Sequence, residues 1–592
     1  MKTLPPSAAR AAAFLFAALA PLSSYAAALS WDGGGSDNNW NTSANWNPDT
    51  ALGSTDTLTF GDTDKTSSDT ANNIVSANQT ITSLTYANSG ATSAEWQVTE
   101  IASGQTLSIG TASATGILNT GVSSAANLTT NAKITGAGSL QLGVSSRLAT
   151  FGFTSGSTSV TAYARPTLDL SGLASFTAFT STFNVGGGIS LATLNLAQTN
   201  AITANTLTVG TNSKNTSTGA GSNSVLNLGA ANTLHATTLI VGNTSSRTGG
   251  TLQFASTGGS VTIRGTAGGS TRANLTIGQG GDGSVNITNI VDFTGNTVDA
   301  LFGTLIVGGS NAGNAGFTTA GQFSMSAGTV DATTVIVGKQ SGGNATASGT
   351  LNISGGTFSA GSVELGSTTS ATRPANATLN ITGGTFTSAG NIAEGASSGG
   401  IVTSTVTLNG GTLDLGGHAV TVDTFNVQAG TLKNLGQFNS GATLTKTTAG
   451  ALILDGANTY TGNTSVGAGS LTLAATGSLT FYLGADGISN KVTGAGTATF
   501  DGTFGFDLTN AVLSEGNTWT ITDVSTQSFT STFAVSGFTD GDLDGVWTNG
   551  AGLSFSEATG ILSYSAIPEP STFALLGGLS ALAAIALRRR RA

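Results

Sequence analysis

The sequence predicts an all-β protein whose body is a β-solenoid, in the form of a right-handed parallel β-helix. Three observations predict it: β-branched segments ending in Gly recur along the chain, 85 of 592 residues are Gly, and only 8% are charged. An average soluble protein is about 25% charged and about 7% Gly. The 38% of hydrophobic residues suffices for a core and argues against a charged disordered chain.

The clearest repeated element is a five-residue segment in which alternate positions are apolar and the last is Gly. Its copies end 28 to 36 residues apart; they are Thr206–Gly210, Thr238–Gly242, Asn274–Gly278, Thr304–Gly308, Thr334–Gly338, Ser362–Gly366 and Asn391–Gly395. A second element contains a Gly-Gly or Ala-Gly pair; its copies are Phe323–Val330, Leu351–Phe358, Leu379–Phe386 and Val406–Leu413. Alternation gives each short strand, expected to be four or five residues long, one apolar face. So small a unit cannot offset its own chain entropy, so the copies must stack and bury one continuous core.

Residues 57–479 are therefore predicted to form the solenoid. Stacked strands lie about 4.8 Å apart, so roughly 14–20 coils would make a stack of about 65–95 Å. Asn and Thr at equivalent positions are expected to form ladders along it. In the less periodic N-terminal half the candidate strands are Ile81–Tyr86, Thr106–Gly110, Leu140–Gly143 and Leu168–Leu170. A β-propeller is the structural alternative, but its blades need about 40–50 residues.

Solenoid ends need caps. Residues 29–56 form a Trp-rich candidate N-terminal cap, because three of the six Trp residues of the chain, Trp31, Trp40 and Trp46, fall within it. Alternatively, these three rings stack on sugar rings as a carbohydrate site. Residues 480–565 are predicted to form a small antiparallel β module, with strands at Thr499–Leu508, Thr518–Asp523, Phe529–Val535 and Leu553–Phe555.

The N-terminal end, residues 1–28, has the pattern of a secretory signal peptide. Lys2 and Arg10 precede the apolar run Ala11–Ala20, and Ser24–Ala26 offers a small-x-small cleavage site. Signal peptidase is the expected partner of this segment. We expect the processed chain to begin near Ala27–Leu29.

The C-terminal end, residues 567–592, is predicted to be a second targeting signal. A Pro-Glu-Pro tripeptide is followed by an apolar segment at 572–587 and then by four arginines. Sixteen helical residues reach about 24 Å, and long arginine side chains extend that reach toward a bilayer of about 30 Å. We therefore expect a short membrane helix that holds the protein transiently in the inner membrane, with the arginines on the cytoplasmic side.

This order of parts resembles the PEP-CTERM sorting signal. The residues that carry the resemblance are Pro568, Glu569, Pro570, Arg588, Arg589, Arg590 and Arg591. The resemblance implies processing by an exosortase-type enzyme near Pro568–Pro570 and release to the cell surface or extracellular polysaccharide. A permanent tail anchor is the alternative.

Residues 444–473 resemble the autotransporter-associated β-strand repeat. The resemblance rests on Leu452–Leu454, the Gly456–Asn458 turn, Tyr460–Thr464 and Ala468–Leu473. It implies a β-helical passenger-like body. An autotransporter ends in a membrane barrel of many strands, whereas the sorting tail occupies that place here, so self-translocation is not expected.

Composition excludes several kinds of chemistry. There is no Cys, which removes disulfides, thiolate metal sites and Cys nucleophiles. The two His residues, His235 and His418, are far apart in the sequence. Of 19 basic and 29 acidic residues, six basic and one acidic lie in the two ends, which leaves a body of 13 against 28, or about −15. Nucleic acid is excluded as a partner, because phosphate binding needs clustered cations.

Two acidic groups are candidate sites. Asp540, Asp542 and Asp544 match the first half of a calcium-binding loop, although the twelfth position is Ala551 rather than the bidentate Glu. An acidic turn is the alternative, and calcium is the only cofactor considered. Glu364 and Glu394 are expected at matching positions of adjacent coils, either as a carboxylate pair or as two solvated residues.

The function predicted from these features is that of a secreted, non-enzymatic structural or adhesive protein of the cell surface or extracellular matrix. Extracellular polysaccharide is the expected contact. The alternative is a carbohydrate-binding or polysaccharide-degrading protein on the same fold. Such an enzyme would need several carboxylates and a Lys or Arg on one face, whereas the acids in the clear repeats come singly.

Overall fold

The computed structural model describes residues 26–67, 70–88, 95–121, 130–153, 165–187, 190–210, 223–242, 249–279, 286–310, 317–342, 345–567 and 570–590. Most of the predicted signal peptide lies outside these residues. So do Pro568, Glu569 and Arg591 of the predicted sorting signal.

The N-terminal strands are short and follow one another closely; they are β1 Ala28–Trp31, β2 Trp46–Asn47, β3 Thr57–Phe60, β4 Asn73–Val75, β5 Gln79–Ile81, β6 Ser83–Tyr86, β7 Gln97–Ile101, β8 Thr106–Ile109 and β9 Ile117–Thr120. The strands that follow are longer on average; they are β10 Asn131–Leu142, β11 Ala149–Phe153, β12 Thr167–Asp169, β13 Leu173–Val185, β14 Thr193–Asn195, β15 Thr199–Val209, β16 Asn223–Leu228, β17 Ala231–Val241, β18 Gly249–Phe254, β19 Ser260–Arg264 and β20 Ala273–Ile277.

The clearest repeats contain the longest strands, which are β21 Ile287–Phe293, β22 Thr297–Ser310, β23 Thr318–Met325, β24 Gly328–Gln340, β25 Thr346–Thr368, β26 Ala375–Ser388, β27 Ile392–Glu394 and β28 Val402–Asp414. Shorter strands come next; they are β29 Ala419–Thr421, β30 Thr424–Lys433, β31 Gln437–Phe438, β32 Leu444–Lys446, β33 Ala451–Asp455, β34 Ala457–Asn458, β35 Thr464–Val466, β36 Ser470–Leu473 and β37 Ser478–Tyr482.

The C-terminal elements are β38 Val492–Phe500, β39 Thr503–Asp507, β40 Thr518–Thr520, β41 Thr522–Phe529, β42 Ala534–Val535, β43 Val546–Thr548, β44 Leu553–Ser556, β45 Ile561–Tyr564 and the helix α1 Pro570–Arg589. A 3-10 turn at Ser43–Asn45 lies in the N-terminal cap.

The strands stack as a parallel β-solenoid of about 16 turns, as the repeats predict. Equivalent strands of successive coils pair in register, so that Thr304 pairs with Thr334, and Thr334 with Ser362. Thirty-seven strands form one continuous hydrogen-bonded sheet. At about 4.8 Å per coil the stack is roughly 75 Å long.

Most strands of the clear repeats are longer than the predicted four or five residues, because pairing continues around the corners. Strand β25 runs for 23 residues through its Gly-Gly pair. The terminal Gly of the five-residue repeat has positive φ in six of its seven copies, Gly338 at +71° among them. A Cβ on Gly338 would lie 2.2 Å from the carbonyl oxygen of Asn376. Gly is therefore required there both by the turn and by the adjacent coil.

The interior is apolar through most of the stack. Phe293, Phe323, Phe358 and Phe386 are buried in successive coils, with ring centroids 5.8, 6.4 and 5.3 Å apart. The first two contacts are edge-to-face and the third is stacked; aromatic pairs in these arrangements bury large area and add a favourable contact between coils.

The expected polar ladders are also present on the outside of the stack. Asn380 donates to Asn352 at 2.9 Å. Gln253 donates to Asn227 at 3.0 Å, and Asn227 donates to Asn195 at 2.8 Å. These bonds join neighbouring coils and satisfy side chains that would otherwise bind only water.

Coil length distinguishes two regions within the solenoid. In the long-coil region, residues 199–404, the N–H of Thr304 donates to a side chain of the preceding coil that lies 30 residues earlier in the sequence. In the short-coil region, residues 405–473, the Asn434 side chain donates to Asp414 of the preceding coil, only 20 residues earlier. The segment that resembles the autotransporter-associated repeat lies in the short-coil region.

The parallel stack continues beyond the predicted boundary at residue 479. Strand β38 pairs in parallel with β35 and β36, and β41 pairs in parallel with β38. The predicted antiparallel arrangement of Thr499–Leu508 and Phe529–Val535 is wrong, because Phe500 aligns with Leu473 of the preceding coil and extends its core. Among the described strands, β40, β43, β44 and β45 form the predicted C-terminal antiparallel sheet.

The C-terminal helix α1 forms, but in the described part of the chain no helix is long and apolar enough to cross a membrane. Gly577, Gly578 and Ser580 interrupt its apolar residues. The predicted membrane segment at 572–587 and the transient inner-membrane anchor are therefore not supported.

Candidate functional site

The base of the sorting tail is hydrogen-bonded to the body on two sides. Tyr564, the last residue of β45, donates its backbone N–H to Asn517 at 2.9 Å and accepts from the N–H of Gly516 at 3.1 Å. On the other side, the N–H of Ser565 donates to the carbonyl oxygen of Gly552 at 2.9 Å. The chain is thus held in an extended form up to the first residues of the tail.

Glu515 makes the last contact between body and tail. Its Oε1 accepts from the Ser565 hydroxyl at 3.1 Å, and its Oε2 accepts from the backbone N–H of Ala566 at 2.5 Å. Ile567 follows with 56% of its surface exposed. Within the described residues, Ala566 is the last residue that hydrogen-bonds to the body. The Pro-Glu-Pro motif begins two residues later.

The three Trp residues of the N-terminal cap are buried, each at most 2% exposed. Trp31 and Trp40 pack on Phe60, and Trp46 packs edge-on against both indoles. Their N–H groups are satisfied inside the protein, as in the 2.8 Å bond from Trp46 Nε1 to the carbonyl oxygen of Trp40. Buried indoles present no ring face to a sugar, so this arrangement favours the cap over the carbohydrate site.

The Glu364 and Glu394 side chains do not occupy matching positions. Glu364 pairs with Ala393, and Leu365 pairs with Glu394, so the expected stacking of the two carboxylates is wrong by one residue. Both still line one shallow groove on the solenoid surface. They flank it as separate acids rather than as a register-matched pair.

Glu394 instead approaches Asp423 of the next coil. Ser404 lies between them: its hydroxyl donates to Glu394 Oε2 at 2.7 Å, and its backbone N–H donates to Asp423 Oδ2 at 3.0 Å. Burial, and then the nearby charge and hydrogen bond of Asp423, raise the pKa of Glu394, although the Ser404 hydrogen bond opposes them. The two carboxyl groups therefore compete for negative charge where the long-coil and short-coil regions meet.

The three carboxylates of the predicted calcium loop do converge. Ligand oxygens of Asp540, Asp542 and Asp544 lie within 4.8 Å of one another. Asp540 already accepts the backbone N–H groups of Asp544 and Gly545 at 3.2 and 3.1 Å. These bonds account for the turn itself, and calcium binding here stays a prediction.

The fold also buries a lysine that was not among the predicted site residues. Lys446 is 1% exposed, and its Nζ donates to the carbonyl oxygens of Thr448 at 2.5 Å and Ala468 at 3.2 Å. Burial lowers the pKa of this ammonium group. The alternation in β32 was the available signal, because Lys446 follows the inward Leu444 at a spacing of two.

Comparison with protein families finds a PEP-CTERM protein-sorting motif at residues 566–591. The same comparisons return no matching curated protein and no matching solved structure. The resemblance of residues 444–473 to the autotransporter-associated repeat is not shown by them and stays a prediction. A PEP-CTERM motif is the recognition signal for exosortase processing and implies export and sorting to the cell surface. The chain is therefore a β-solenoid that carries a PEP-CTERM sorting motif, and the first residue of that motif, Ala566, makes the last hydrogen bond to the body within the described residues.

Proposed function

We propose that this protein is a secreted, non-enzymatic structural or adhesive β-helix protein of the cell surface or extracellular polysaccharide matrix. The observation that carries the proposal is the attachment of the sorting motif at 566–591 to a long solenoid body. In this proposal signal peptidase removes residues 1–28 and an exosortase-type enzyme processes the tail near Pro568–Pro570.

The outer surface supports a role in contact with an uncharged, hydrated polymer. One outward row carries Thr in five successive coils, in register; its members are Thr329, Thr357, Thr385, Thr412 and Thr431. Coil spacing places one hydroxyl about every 4.8 Å. Such a row offers repeated hydrogen bonding with little charge, which suits a polysaccharide chain.

The arrangement of charges favours structure over catalysis. Cations of one coil pair with acids of a later coil, as in Arg264 with Asp299 at 2.7 Å and Lys433 with Asp455 at 3.1 Å. Charges used in this way hold coils together. A polysaccharide-degrading or carbohydrate-binding protein on the same scaffold is the competing proposal, and the groove beside Glu364 and Glu394 is where its acids would lie.

Cell fractionation tests the sorting half of the proposal. We compare the unchanged chain with a Pro568→Ala/Pro570→Ala variant and with a matched Pro374→Ala variant in the body. Release into the medium or onto the cell surface should be lost only in the first variant. Unchanged release of that variant would contradict exosortase-dependent sorting.

Purified released protein tests the structural half. It is incubated with neutral and acidic polysaccharides, and both retention and chain length of the polymer are measured. The proposal expects no loss of polymer length. Depolymerisation that is abolished by Glu394→Gln would establish the enzyme in its place.

A further inference from the structure

The loop that carries Glu515 is itself fixed to the body. The N–H of Val512 donates to the carbonyl oxygen of Gly484 at 3.0 Å, and the Asn517 side chain donates to the carbonyl oxygen of Val512 at 2.8 Å. The N–H of Asn517 donates to Ser514 at 3.0 Å. The position of the Glu515 carboxylate is therefore set by the folded body and not by the tail.

The two hydrogen bonds that the Glu515 carboxylate accepts are charge-assisted. A carboxylate that accepts from N–H and O–H groups makes charge-assisted hydrogen bonds, which are about twice as strong as neutral ones. One of them uses the backbone N–H of Ala566, which is the first residue of the matched sorting motif. The boundary of the recognised motif and the limit of the hydrogen-bonded body therefore coincide.

This coincidence matters for processing, because a peptide that is bound as an extended strand needs its backbone N–H and C=O groups free to bond to its partner. Residues 564–566 use theirs on the body and become available only when that contact opens locally. Ser565, Ala566 and Ile567 are all exposed, and within the described residues Ile567 is the first of the three that makes no hydrogen bond to the body. The segment that a processing enzyme can bind without opening this contact therefore begins at Ile567.

We propose that Glu515 is a positioning residue for tail processing: it sets the N-terminal limit of the segment that the processing enzyme can engage, at Ile567. The proposal rests on exosortase-type processing of the tail. Without the carboxylate, Ser565 and Ala566 lose their side-chain contact, and cleavage extends upstream into residues that belong to the body.

Hydrogen exchange on the purified full-length chain tests the contact independently of processing. The Ala566 amide should exchange at least about tenfold faster in Glu515→Ala than in the unchanged protein. Glu515→Gln should lie between them, because its amide oxygen can still accept one bond. The control Asp523→Ala, an exposed acid on β41, should stay within about twofold. Equal exchange in all four proteins would overturn the proposal.

Mass spectrometry of protein released from cells tests the consequence. The unchanged chain should give one C-terminus within the Pro-Glu-Pro segment, whereas Glu515→Ala should give additional termini upstream of Ile567 or a several-fold slower release. A single unchanged terminus and rate in Glu515→Ala, with the Ala566 amide deprotected, would overturn the positioning role alone. A tail left intact in the unchanged chain would instead contradict exosortase processing, and the exchange result would still stand.

Discussion

Among the described residues, the long-coil and short-coil regions stack in the same way but differ in coil length and in the burial of a charged side chain, Lys446. The long-coil region buries apolar side chains such as Phe323 and Phe358 and turns its corners with Gly. The short-coil region buries Lys446, Asn458 and Tyr460 among its apolar residues. Both regions turn corners with Gly in positive φ. In both, a buried Asn side chain, Asn289 in one and Asn458 in the other, bonds to backbone groups of neighbouring coils.

Asn458 shows how this works. Its side chain donates to the carbonyl oxygens of Asp455 at 3.0 Å and Ser478 at 3.3 Å, and it accepts from the N–H of Leu435 at 3.1 Å. It therefore replaces backbone partners in three coils at once. Pairing between coils therefore defines the solenoid. Coil length can vary as long as the buried polar groups keep hydrogen-bond partners.

The largest effect is expected in the long-coil region. Phe358→Ala removes a fully buried ring between Phe323 and Phe386, and such a cavity costs about 3–5 kcal/mol. Its denaturation midpoint should fall sharply, while the outward neighbour Thr357→Ala should change stability by less than about 0.5 kcal/mol. Similar midpoints for the two variants would show that the aromatic stack does not hold this region together.

A smaller loss is expected in the short-coil region from Asn458→Ala. The change leaves the backbone N–H of Leu435 without its acceptor in the interior, at a cost of about 1–3 kcal/mol. The exposed Asn409→Ala serves as control. A loss no greater than that of the control, measured by the same denaturation, would refute the role of the buried amide.

Buried and exposed lysines of the short-coil region should respond to pH with opposite signs. Burial lowers the pKa of Lys446 in the folded state. The cost to folding stability of burying this charge is therefore complete at neutral pH and decreases as pH rises toward the unfolded-state pKa of about 10.4. The nearby Asp455 raises the pKa of Lys433, so its contribution is full at neutral pH and is lost in alkali.

The measurement is thermal unfolding from pH 7 to about pH 10.5. Relative to the unchanged protein, Lys446→Met should become less stable as pH rises, and Lys433→Met should become more stable. Parallel pH profiles for the two variants would contradict the assigned environments.

The smallest effect is expected at the junction of the two regions. The pKa of Glu394 is raised by burial and by Asp423. The contribution of this residue to folding stability is therefore complete below its unfolded-state pKa of about 4.3, and it is lost as pH rises through the higher pKa of the folded state. A double-mutant cycle of Glu394→Gln and Asp423→Asn should show repulsion at pH 7, on the order of 0.5 kcal/mol, that disappears near pH 4. Identical coupling at both values would exclude a shared charge.

Much of the fold could be predicted from the sequence because its signal repeats. The five-residue element ending in Gly predicted both the strand register and the corners. Gly338 and most of its equivalents lie at corners where positive φ requires Gly. The limit of the parallel stack was missed because β38 and β41 contain aromatic residues that also suit a cap. Only pairing with the preceding coil reveals that Phe500 continues its core.

The candidate sites were less predictable, since they depend on contacts across distant segments. The predicted alignment of Glu364 with Glu394 was wrong by one residue. Glu394 instead lies near Asp423, a neighbour that no local spacing in the sequence indicates. Glu515 lies 51 residues before Ala566, so its contact with the tail is visible only in the fold. The sorting motif itself was predictable because recognition requires a contiguous sequence.

Export and tail processing of this β-solenoid protein are tested most directly by mass spectrometry that identifies both terminal residues of the released protein. We expect an N-terminus near Ala27–Leu29 and a C-terminus within Pro568–Pro570, without Arg588–Arg591. A released protein that keeps these arginines would contradict it.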